Sequence, residues 1–171
     1  MIIIISGATH TGKTVLADRL MRKFHYPVLS QDLLKMGLIR SGNTTLTPDD
    51  DREMTDYLWE IVSEMIKTAV ENKQNLIVEG CYVPFDWKKD FGKEYLKEIR
   101  CVFLVFSEEY IRNNFAEIKK HADDIEQRLD DSHINEEYLI CENGFYLDGC
   151  RESGAEYILI DKEYKITEEI I

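Results

Sequence analysis

Residues Met1 to Ile5 form an apolar, mostly β-branched run with no alternation of polar positions. Such a run predicts a strand buried on both faces, as in a parallel sheet. Further short runs follow at Tyr26–Ser30, Leu76–Val78, Cys101–Phe106 and Tyr157–Ile160. Between them the apolar positions recur at helical spacing. Leu16, Leu20, Met21 and Phe24 make one face, and Leu58, Ile61, Val62, Met65, Ile66, Ala69 and Val70 make a longer one. Shorter helices are predicted at Leu33–Ile39, weakly at Glu94–Ile99, from Ser107 to about Lys120, and from Asn135 to Ser153 with Gly154 as the stop. Thr47-Pro48 followed by Asp49, Asp50 and Asp51 reads as the start of the long helix, with a capping hydroxyl, Pro at the first position and acids in the first turn.

Strands alternating with helices predict an α/β fold: a parallel sheet between two helical layers, in a single domain spanning 1–171. Ligands of such sheets bind beyond the carboxyl ends of the strands. Lys13, Asp32, Glu79 and the Ser107 region should therefore converge.

The turn between the first strand and the first helix carries the chemistry. Gly7-Ala8-Thr9-His10-Thr11-Gly12-Lys13-Thr14 matches G-x-x-x-x-G-K-[ST] in full. A loop that wraps a phosphate chain points its N–H groups inward and tolerates no Cβ at its turns. The helix behind it aims its positive end at the same phosphates. Lys13 can reach the β- and γ-phosphates, and the Thr14 hydroxyl can ligate Mg²⁺. His10 and Thr11 read as loop positions rather than catalysts.

Phosphoryl transfer also needs acids and cations around that loop. Asp32 and Glu79 stand just past strand ends, where each could meet the Mg²⁺ shell or an acceptor hydroxyl. The bland alternatives are a helix cap for Asp32 and a solvated turn acid for Glu79. Arg112, Lys119 and Arg128 fall where a lid over a nucleotide would sit, roughly 107–132, although each has acidic neighbours to pair with. Arg40 lies on the side of an acceptor's charge. Tyr82, Phe85 and Trp87 could wall an acceptor pocket or simply cover the core.

Composition narrows the partners. A net charge of −12, spread along the chain, argues against nucleic acid and against an anionic membrane surface. No apolar run approaches the roughly 20 residues of a membrane span, and no leader is legible, so a cytoplasmic enzyme is expected. Cys81, Cys101, Cys141 and Cys150 form no C-x-x-C pair and read as buried thiols. The oligomeric state is left open.

With these residues in place, the chain resembles the small P-loop kinases of the nucleoside monophosphate kinase superfamily, in their adenylate-kinase-like and small-molecule kinase branches. Besides the Gly7–Thr14 loop, Ser30-Gln31-Asp32-Leu33-Leu34-Lys35 resembles the Thr-Gly-Asp-x-Leu-Arg stretch that opens the acceptor region of adenylate kinases. The resemblance implies a three-layer P-loop fold with a five-stranded parallel sheet, ATP and Mg²⁺ as cofactors, and a small-molecule or nucleotide acceptor at Asp32 and Lys35, beside which Arg40, Glu79 and Tyr82 are expected from their places in the chain. In kinases of small hydroxyl compounds the Asp after the second strand serves as base, a role Asp32 would take. Arg128 would be the lid cation acting on the transferred group. Two departures, Lys35 in place of Arg and Glu79-Gly80-Cys81-Tyr82-Val83 in place of Asp-Gly-Phe-Pro-Arg, tilt the acceptor towards a hydroxyl. The competing reading is a nucleotide sensor without rapid transfer. A GTPase is disfavoured because Asn72-Lys73-Gln74-Asn75 fails the Asn-Lys-x-Asp pattern at its last position.

Overall fold

The computed structural model describes residues 1–121 and 134–167. Five strands, β1 (Ile2–Gly7), β2 (Val28–Ser30), β3 (Leu76–Glu79), β4 (Ile99–Phe106) and β5 (Tyr157–Ile160), form one parallel sheet in the order β2-β3-β1-β4-β5. The register aligns Ile5 with Glu79 and with Val102, and Ser30 with Glu79. The ends of β1, β2 and β3 thus lie side by side.

The central strand explains its own composition. Ile2 and Ile4 enter one core with Val78, Phe103, Val105 and, from helix α3 (Asp51–Glu71), Trp59, Val62 and Ile66. Ile3 and Ile5 enter the opposite core with Leu16, Ala17 and Leu20 of α1 (Lys13–Phe24) and Ile111 and Ile118 of α5 (Glu108–Lys120). Every residue of β1 is buried, which is why Ile2–Ile5 are all apolar and the one polar side chain, Ser6, comes only at the strand's end. Helix α6 (Glu136–Ser153) serves both layers, giving Leu139 to one core and Tyr146 and Cys150 to the other. The remaining helical pieces are α2 (Gln31–Arg40), a 3₁₀ turn at Trp87–Asp90 and the single turn α4 (Lys93–Leu96).

Caps fall where the sequence places them. Ser107 Oγ accepts from Tyr110 N at 3.0 Å, Asn135 Oδ1 accepts from Tyr138 N at 2.8 Å, and Gly154 turns left-handed at φ 70°. Several boundaries differ, and four of them are instructive. β2 begins at Val28, after Pro27, whose nitrogen has no hydrogen to give a ladder. α2 starts at Gln31, directly on the strand end, so Asp32 sits in a helical first turn. β4 begins at Ile99, and the weak helix before it is only the turn α4. α3 starts at Asp51 rather than at Thr47-Pro48. The carboxylate of Asp50 takes both the N–H (2.7 Å) and the hydroxyl (2.8 Å) of Thr47, closing a separate turn before the helix. Those same bonds hold the Asp50 carboxyl below its usual range.

All four cysteines are free thiols, but Cys141 is exposed rather than buried, and Cys81 is half-buried. The first part of the expected lid is the helix α5, packed on the sheet through Tyr110, Ile111 and Ile118. Its remainder, with Arg128, lies outside the described residues. No helix among the described residues is long and apolar enough to cross a membrane.

Candidate functional site

The phosphate loop leaves β1 at Gly7, whose φ of 124° and close approach to β4 demand glycine. A Cβ there would lie 2.1 Å from the carbonyl oxygen of Leu104. Ala8 N donates to that same carbonyl at 3.2 Å, fixing the loop's entry. The Thr11 hydroxyl and Lys13 Nζ both donate to Ala8 O, each at 2.7 Å, so the lysine folds back along the loop. Thr9 Oγ1 pairs with His10 Nδ1 at 3.1 Å, and His10 itself adopts φ 63°. At the loop's exit Gly12 has φ 83°, and a Cβ there would meet the Tyr164 hydroxyl at 1.8 Å. That hydroxyl donates to Thr11 O at 3.2 Å, so the segment after β5 buttresses the loop.

Glu79 ends β3 and is only 3 % exposed. Its Oε2 accepts from the Thr14 hydroxyl at 3.3 Å. Register pairing sets Ser30 alongside it, and the hydroxyls of Ser30 and Ser6 are buried with no hydrogen-bond partner among the described residues. A threonine hydroxyl, a carboxylate and spare hydroxyls at three strand ends are hard oxygen donors. That set fits Mg²⁺, which keeps several waters and leans on phosphates rather than on an all-protein cage. Among the described residues, no group of three or more His, Cys, Asp or Glu is arranged to hold a metal.

Where the acceptor side is expected, a clamp joins the segments that follow β2 and β3. Gln31, fully buried, donates from Nε2 to Tyr82 O at 3.1 Å and accepts at Oε1 from Tyr82 N at 2.9 Å. Gly80, at φ 151°, lies against that side chain. Tyr82 is 3 % exposed, and its hydroxyl donates to Asp51 Oδ1 at 3.1 Å and receives a bond from Lys35 Nζ at 2.5 Å. Lys35 also donates to Pro48 O at 3.1 Å and stands 3.6 Å from Asp51. Burial, with Cys81, Asp51 and Asp32 nearby, holds the Tyr82 phenol well above its ordinary range.

Cys81 lies just past the end of β3. Burial pushes its thiol up to about 12, with Lys13 opposing the shift and Asp32, Asp51 and Glu142 adding to it. The thiol therefore stays protonated. Of the other expected residues, Arg40 is exposed in the last turn of α2. Arg112 is held on the surface by Glu108 (2.8 Å), Glu136 (2.9 Å) and Glu137 (3.5 Å).

Three residues of the site carry no signal in the sequence pattern. Glu142 on α6 accepts from Thr9 N at 3.1 Å with both carboxylate oxygens. Its neighbour Asn143 accepts from Phe106 N at 2.7 Å, and Tyr146 donates to Cys81 O at 2.9 Å. One stretch of α6 thus ties together the loops after β1, β3 and β4. Gln31 alone had a position in a recognisable stretch, although not its partner.

A five-stranded parallel sheet of order 2-3-1-4-5 with a G-x-x-x-x-G-K-T loop after its central strand is the P-loop kinase fold. A family model described as an AAA domain matches residues 2–137, and the chain belongs to that family. Among solved structures it is similar to deoxyadenosine kinase from M. mycoides with dCMP and dCDP bound, at 16 % identity and TM-score 0.57, covering 99 % of this chain and 94 % of that one. The same enzyme with bound dATP gives 17 % identity, TM-score 0.56 and coverage of 99 % and 94 %. A gluconokinase from Sinorhizobium meliloti gives 16 % identity, TM-score 0.46 and coverage of 93 % and 81 %. These likenesses are to the fold. No curated protein matches the chain.

Proposed function

We propose that the protein is an ATP–Mg²⁺-dependent kinase that transfers the γ-phosphoryl group to a hydroxyl of a small molecule. The observation that carries this reading is the full G-x-x-x-x-G-K-T loop whose Thr14 hydroxyl meets the buried Glu79 carboxylate at the end of β3, with Asp32 exposed in the first turn of the helix that leaves the neighbouring strand β2. A phosphate cradle alone would only bind; a carboxylate at the acceptor can also accept a proton.

In this reading the loop's N–H groups and Lys13 hold the phosphate chain and offset charge that builds on its oxygens. Asp32 accepts the proton of the acceptor hydroxyl as its oxygen bonds to the γ-phosphorus and the bond to the ADP oxygen breaks. Thr14 and Glu79 would hold Mg²⁺, which when bound supplies further charge neutralisation on the phosphates. Arg128 remains the proposed lid cation. Arg112, engaged by three glutamates, would have to leave them to reach a nucleotide.

The acceptor preference is supported by Lys35. Its ammonium is taken up by Tyr82, Pro48 and Asp51, which favours an acceptor hydroxyl over the phosphate of a nucleoside monophosphate. Coupled ADP release against a panel of polyols, sugars, nucleosides and nucleoside monophosphates tests the reading. Acceptor-dependent release is expected with a hydroxyl compound. Tight ATP binding without release for any acceptor would mark a nucleotide sensor instead.

A further inference from the structure

Glu142 is the one carboxylate that hydrogen-bonds a main-chain amide of the phosphate loop among the described residues. Both its oxygens accept from Thr9 N at 3.1 Å. An inward N–H of such a loop is what a phosphate oxygen would use. A carboxylate and a phosphate cannot share one N–H, and two anions brought together there would repel. The helix beneath is fixed independently, since Asn143 bonds Phe106 N and Leu139 O, and Tyr146 bonds Cys81 O. Release of Thr9 by Glu142 therefore asks for a change of the Glu142 side chain and not for a shift of α6.

We propose that Glu142 is an internal anion that occupies a phosphate position at Thr9, so that nucleotide binds only by displacing it. The inference rests on the nucleotide-binding reading of the loop. It assigns α6 a role in setting affinity: the loop is binding-competent only in the fraction of molecules in which Glu142 has let go. If Glu142 holds the loop about nine-tenths of the time, its removal tightens binding about tenfold.

The opposite prediction follows if Glu142 merely orders the loop. Its loss would then loosen the cradle and weaken binding. Calorimetry of MgATP and of magnesium pyrophosphate with wild type, Glu142→Ala and Glu142→Gln separates the two. Tightening of about tenfold in Glu142→Ala, with a smaller gain in the isosteric Glu142→Gln, is expected for both probes. The ¹⁵N–¹H signal of Thr9 should move on ATP addition in wild type and already be displaced in Glu142→Ala. Affinity that is unchanged or weaker in both variants, with wild type still binding, overturns the proposal and leaves nucleotide binding standing. Binding by the variant alone supports it strongly. If no form binds either probe while all remain folded by circular dichroism, the nucleotide reading itself fails, and the proposal with it.

Discussion

Gln31 and Tyr82, 51 residues apart, exchange two hydrogen bonds through a side-chain amide that imitates a strand partner: Nε2 to Tyr82 O at 3.1 Å and Tyr82 N to Oε1 at 2.9 Å. The pair extends the β2–β3 contact beyond the last register pair, Ser30 with Glu79. It thereby ties the first turn of α2, which carries Asp32, to the segment after β3, which carries Cys81. Gln31→Ala would strand a buried N–H and a buried carbonyl. We expect a loss of about 2–4 kcal/mol in stability, read by urea denaturation. A loss below about 0.5 kcal/mol would mean that the clamp does not hold these segments together.

Lys13→Ala should leave the fold intact and abolish phosphoryl transfer. The lysine is half-buried, and among the described residues its ammonium donates to Ala8 O. A melting curve close to wild type together with ADP release at background level is the expected result. Wild-type transfer by this variant would defeat the kinase reading.

Asp32→Asn should reduce turnover by about 10²-fold or more while changing ATP affinity little, as expected when a base is removed. The residue is exposed in the first turn of α2, directly after the end of β2. Equal losses in turnover and affinity would assign it to metal binding or to structure.

Two glycines make a paired test of backbone. Gly7→Ala places a Cβ 2.1 Å from Leu104 O at φ 124°, so β1 and β4 must separate, and poor folding is expected. Gly37, inside α2, has nothing within 4 Å of the Cβ position, and Gly37→Ala should stabilise by about 0.5–1 kcal/mol. Thermal unfolding of both variants checks the contrast.

Thiol chemistry reports on burial. Cys141 is exposed, whereas Cys101 and Cys150 are buried and Cys81 is half-buried with its thiol pushed up to about 12. With a disulfide reagent at pH 8, Cys141 should react fast and Cys81 slowly. The sign of the pH effect follows from the raised value. The folded state keeps the Cys81 proton while the unfolded state loses it near pH ~8.5, so this contribution to stability is complete below that pH. It falls as pH rises from there to about 12. Stability of Cys81→Ser relative to wild type, followed between pH 7 and 10 by urea denaturation, measures it.

The layering, the position of every strand and the phosphate loop were legible because each depends on neighbours in the chain. An unbroken apolar run such as Ile2–Ile5 is what a doubly covered strand requires, and Gly7, Gly12, Lys13 and Thr14 are spaced by the geometry of one turn. Boundaries were less legible where a local bond competed with the pattern, as when Asp50 took Thr47 for its own turn and delayed α3.

What the chain alone determined was therefore the sheet, its helices and the G-x-x-x-x-G-K-T loop between β1 and α1, since these follow from periodicity and short-range backbone demands. Tertiary structure alone decided which side chains answer to that loop. Glu142 reaches Thr9 across 133 residues and Tyr164 reaches Thr11 across 153, while Lys35 spends its charge on Asp51 and Tyr82. Nothing in a local sequence pattern encodes such distant partners, because the contacts exist only after the parallel strands have brought their carboxyl ends together.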